Sequence, residues 1–125
     1  MRAFLLFIIL ISSSAMAVEQ AQTQNIDLDV KRLIQFVEHS NCQFVRNGKP
    51  YSPRKSAMHI EKKYQHFKAE INSIDKFIEL AASKSMLSGR PYQVVCPNSE
   101  PVSAGIWMRM MTRDLGLKLD GDIAI

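Results

Sequence analysis

Arg46 and Asn47 share one turn of this chain, and Ser85, Ser88 and Arg90 open a later β-prone run that ends at Cys96. Cys42 and Cys96 are the only cysteines. Joining them leaves Arg46 four residues from one sulfur and Arg90 six from the other. The two guanidiniums and the serine hydroxyls then converge, with Tyr51 and Tyr92 as flat walls. Such a cluster holds a carboxylate or phosphate through bidentate, charge-assisted contacts. An architectural role stands ahead of it: Arg46 hydrogen-bonds the Ser85–Gly89 backbone and fastens a hairpin to a loop, as buried polar groups in small folds commonly do.

The histidines are His39, His59 and His66. His59 and His66 lie seven apart, on one face of a continuous helix but two turns from each other. A zinc pair on a helix takes i, i+4 spacing, and no carboxylate motif completes a site, so neither a metal nor a cofactor is expected. His59, between Ala57 and Ile60, reads first as a partly buried, hydrogen-bonded imidazole and is kept with the polar cluster as a ligand-binding candidate. Ser83, Ser85 and Ser88 crowd one loop beside Gly89, but no G-x-S-x-G elbow or oxyanion loop accompanies them. Turn chemistry explains those hydroxyls, and no catalytic residue is assigned.

These groups must be positioned by few elements, because the chain has only 125 residues. The first seventeen read as a secretory signal: Arg2, an apolar run from Ala3 to Ile11, then Ser12–Ser14 and Ala15-Met16-Ala17 in the A-x-A pattern. The run is too short to span a bilayer, for which about 20 residues are needed. Cleavage after Ala17 lowers the formal charge of +4 by the one charge of Arg2, to +3. That excess is too small for a nucleic-acid partner, and no stable membrane insertion is expected after cleavage. In an exported chain of this size, two cysteines form a structural disulfide.

Residues 18–25 are polar and read as a flexible lead-in, followed by one globular domain over 26–116 and a tail over 117–125. Ile26, Val30, Leu33, Ile34 and Val37 recur at helical spacing, predicting a helix from about Asp27 to Ser40. Gln43–Arg46 followed by Asn47-Gly48 predicts a hairpin, with Tyr51 on a return strand that Pro50 confines to an edge. Ser52-Pro53 starts a second helix with Ala57, Ile60, Tyr64 and Phe67 along one face. Its charged face, including Lys62 and Lys63, reads as solvated. Ser73 caps a third helix, Arg90–Cys96 is the strongest strand, and Ser103 caps a fourth helix that Gly116 stops. The tail is expected either to add an edge strand or to remain loose. The sum is α+β, about four helices on a small antiparallel sheet with one disulfide.

Two blocks carry a family resemblance: Cys42–Gly48 with Tyr51 and Ala57–Ile60, and then Phe77–Ser85 with Ser88–Val94, followed by Trp107. On these the chain resembles the YfeK-like family of small exported bacterial proteins of unknown function. The resemblance implies a periplasmic setting in a Gram-negative bacterium and brings no activity with it. The leading expectation is therefore a non-enzymatic envelope module that binds a protein or another envelope component. A small anion- or carboxylate-binding protein built on the Arg/Ser/Tyr cluster follows, ahead of a small hydrolase or an acid-stress chaperone.

Overall fold

The computed structural model describes the backbone of Ala3 and residues 15–120, and side chains from Ile26 onward. The expected signal segment therefore lies almost wholly outside the described residues, as do residues 121–125. Helix α1 (Ala15–Glu38) is longer than the periodicity predicts. It continues through residues 18–25, the expected lead-in, because no Gly or Pro interrupts a run rich in Ala, Gln and Glu, all good helix formers. No described helix is long and apolar enough to cross a membrane.

The hairpin forms as expected. Strands β1 (Gln43–Arg46) and β2 (Lys49–Tyr51) pair antiparallel, with Phe44 opposite Tyr51, Val45 opposite Pro50 and Arg46 opposite Lys49. Asn47 and Gly48 both take positive φ, 51° and 79°, the conformation of a two-residue type I′ turn. Pro50 is tolerated because β2 is an edge strand. Strand β3 (Gln93–Val95) is shorter than the predicted Arg90–Cys96 run, since Lys84 pairs with Pro91 in an isolated bridge before the ladder begins. A two-residue strand that the sequence did not signal, β4 (Val102–Ser103), completes an antiparallel sheet in the order β2-β1-β3-β4.

Helix α2 (Pro53–Phe67) starts where Ser52 accepts the Lys55 N–H, with Pro53 in its first turn. Ser73 caps α3 (Ile74–Phe77), which passes directly into a π-helical stretch, Ile78–Ala82. Helix α4 (Ala104–Asp114) ends in a Schellman motif. Gly116, at φ 71°, donates to the Arg113 carbonyl and Leu117 to that of Thr112. The tail adds no strand over its described part. Leu117 and Leu119 instead bury themselves in the core, so the packed unit reaches beyond residue 116.

Helices pack on one face of the sheet around Phe44, Val94, Leu33, Ile60, Phe77 and Met108, all essentially inaccessible. Trp107 meets Phe44 edge-on with centroids 5.6 Å apart, and Tyr64 meets Phe77 likewise at 5.7 Å. Cys42 and Cys96 are bonded. They flank the Gln43–Val95 pair, so the disulfide locks the two central strands at one end.

Candidate functional site

Strand alternation extends the core face of the sheet outward into a cleft. Phe44 and Arg46 are two apart on β1 and so share a face. Phe44 enters the core, while Arg46 stands beyond it, beside the hairpin turn. Tyr92 lies two residues before Val94, the cross-strand partner of Phe44, and is buried on the same side. Tyr51 returns on β2 to hold the Arg46 guanidinium, whose central carbon lies 3.8 Å from the ring centroid.

Helix α2 supplies the opposite wall. Its buried stripe is Ala57, Ile60 and Tyr64. One step around the helix, His59, Lys62, Lys63 and His66 recur at i, i+3, i+4 and i+7 and line the cleft. The loop through Ser85, Met86 and Leu87 closes the third side of a space of about 630 Å³. Arg46, Lys49, Lys62 and Lys63 all line it, and no Asp or Glu does so among the described residues.

The centre of the cleft is a short polar chain. His59 Nε2 lies 3.3 Å from the Tyr92 hydroxyl, and Lys63 Nζ donates to that hydroxyl at 3.3 Å and to the Lys84 carbonyl at 2.7 Å. Burial, followed by the charges of Arg46, Lys63 and Lys62, pushes His59 down to about 4. Burial, Arg46 and Lys84 likewise push Lys63 down to about 8. Burial raises the Tyr92 hydroxyl, and Arg46 beside it opposes that rise. The Arg46 Nε is buried with no hydrogen-bond partner among the described residues. Positive charge is thus gathered around one buried donor, Arg46 Nε, that has no partner among the described residues.

Of the residues expected to converge, Arg46, Asn47, Tyr51, His59, Ser85 and Tyr92 all line the cleft. Ser88 and Arg90 do not: both are exposed, and the Arg90 carbonyl accepts from Ser85 N–H while the Arg90 N–H reaches Ser88 Oγ. The expected pair of converging guanidiniums is therefore replaced by Arg46 with Lys63. Nor is Arg46 seen bonding the 85–89 backbone. That fastening falls to Ser88, whose hydroxyl donates to Asn47 Oδ1 at 2.8 Å, and to Lys63 on the Lys84 carbonyl. Ser85 Oγ accepts the Ser88 N–H at 3.3 Å, and neither of these hydroxyls is bonded to His59, in keeping with turn chemistry. The sequence places Lys62 and Lys63 on a solvated face; Lys62 is exposed at the rim of the cleft, whereas Lys63 is half-buried. The signal for them was their offset of three and four residues from His59.

The depressed His59 value predicts a pH dependence of stability. Between about pH 6.5 and about pH 4 the unfolded chain binds a proton at His59 that the folded chain does not, so stability falls as pH is lowered through that window. Urea unfolding at pH 7 and pH 5 should show a larger loss for the native sequence than for His59→Gln. Equal losses would show that neither burial nor the neighbouring cations hold His59 below its ordinary value.

A family model described as "Family of unknown function (DUF5329)" matches residues 24–115. No curated protein matches the chain, and no solved structure does.

Proposed function

The chain belongs to the DUF5329 family of unknown function, so its reading rests on its own geometry, and we propose that it is a non-enzymatic binding module of the cell envelope whose ligand is an anion held in the α2–sheet cleft. One observation carries this: four cationic side chains line a partly buried space that no carboxylate of the described residues enters. Gathering like charges under partial burial is unfavourable for the fold, as the lowered His59 and Lys63 values record. A carboxylate or phosphate in the cleft offsets that cost. It accepts from the Arg46 fork, the Lys63 ammonium and the Tyr92 hydroxyl, and its negative charge raises His59 and Lys63 again. The Cys42–Cys96 disulfide and the A-x-A segment at Ala15–Ala17 support an exported, periplasmic setting.

The test is thermal unfolding with inorganic phosphate, sulfate and succinate, each against sodium chloride at matched ionic strength. Specific binding raises the unfolding temperature with concentration. Charge-assisted hydrogen bonds contribute about 1.5–3 kcal/mol each, so Arg46→Met and Lys63→Met should each weaken binding by about ten- to a hundredfold. Arg90→Met, outside the cleft, should leave binding unchanged. No stabilisation by any of the three anions, or equal losses in all three variants, would overturn the reading.

A further inference from the structure

The lip of the cleft is apolar where the fold gains nothing from it. Leu87 is fully exposed and Met86 about half exposed, yet both line the cationic cleft. They sit at the tip of a turn that is tied down on every side. Gly89 N–H donates to the Ser85 carbonyl at 2.9 Å, Ser88 bonds Asn47, and Lys84 pairs with Pro91 and holds Lys63. A braced turn that presents two large apolar side chains to water is not explained by packing. Its surroundings have one sign: Lys84 and Arg90 flank the tip in the chain and are exposed, and Lys49 and Lys62 stand on the other walls.

We infer that the cleft and the Met86–Leu87 tip together form a docking site for an anionic lipid surface, a headgroup phosphate entering the cleft while the tip inserts among the acyl chains. The inference rests on the anion-binding reading and adds the source of the anion. Charge complementarity selects the occupant: basic side chains beside a protruding apolar tip match the negative headgroup layer and the hydrocarbon beneath it. An acidic protein would match the charges but would leave a flexible methionine and a projecting leucine without an apolar counterpart.

The experiment is co-sedimentation with vesicles of phosphatidylglycerol or of phosphatidylcholine, using protein in the form the cell makes, alongside phosphate binding by the same samples. The native sequence should partition onto phosphatidylglycerol vesicles and not onto phosphatidylcholine. Met86→Ser with Leu87→Ser removes side chains the core does not use, so folding is kept. It should reduce partitioning by about tenfold or more, while phosphate affinity falls far less because neither side chain offers the anion a polar contact. Lys63→Met should reduce both. Undiminished vesicle binding by the double serine variant overturns the docking site and leaves the anion reading standing. So does a soluble glycerophosphate headgroup that binds as tightly as the vesicle. Vesicle binding that survives Lys63→Met, with no phosphate binding in the native sequence, overturns the anion reading itself. Capture of an acidic soluble protein without vesicle binding assigns the surface to a protein partner and refutes the lipid one.

Discussion

Replacing Cys42 and Cys96 together by serine will lower the unfolding free energy by about 4 kcal/mol, the chain-entropy value for a closed loop of about 55 residues. The bond spans 54 residues of sequence, and that span contains β1, β2, α2 and the loop through Ser85–Leu87, which together wall the cleft. Against a typical stability of about 5–15 kcal/mol the loss is large. Reduction also unties β1 from β3 at the end away from the hairpin, and these are the strands that carry Arg46 and lead in from Tyr92. Anion binding should therefore weaken in parallel with stability. Urea unfolding of oxidised protein, reduced protein and the double serine variant checks this. A loss below about 1 kcal/mol would mean that the core alone holds the strand pair.

Phe44→Ala will cost about 3–5 kcal/mol, the usual range for deleting a fully buried aromatic side chain. Phe44 is about 1% exposed and lies edge-on to Trp107, so truncation leaves a hole between sheet and α4 that neither rigid element can close. Phe44→Leu, which keeps much of the volume, should cost far less. Trp107 is the single tryptophan of the chain, and its fluorescence reports the same contact during unfolding. Arg46 follows Phe44 by two residues on the same strand face, so the alanine variant should also lower phosphate affinity although it removes no ligand contact. Retained affinity at reduced stability would show that the hairpin positions Arg46 independently of the core.

Much of the architecture was legible because local chemistry and long-range packing agree here. Ser52-Pro53, Ser73, Asn47-Gly48 and Gly116 mark element ends through backbone requirements that hold in any context, and all four act as expected. The apolar spacing of α2 separated its buried stripe from the rest. Most of the charged face of α2 meets water as expected, Arg54, Lys55, Lys62 and Lys68 included, and the departure at the cleft is a single residue. Lys63 is half-buried because the 83–92 loop folds over it, and nothing near Lys63 in sequence signals a neighbour that lies about 20 residues away. The same limit applies to β4, whose two residues have no pattern of their own and are a strand only because β3 offers an edge.

The sequence by itself determined the starts of α2, α3 and α4, the hairpin, the cysteine pair and six of the residues that line the cleft, since these follow from side-chain type, turn conformation and period. Only the tertiary structure decided which cations meet. Arg46 reaches the cleft by strand alternation and Lys63 by its angle around α2. Arg90 is turned away because its backbone is committed to closing the loop at Ser85 and Ser88. Convergence of charge depends on the relative placement of a helix, a sheet and a loop. That placement is set by burial of Phe44, Ile60 and Val94 in one shared core, a property of the packed chain that no local stretch contains.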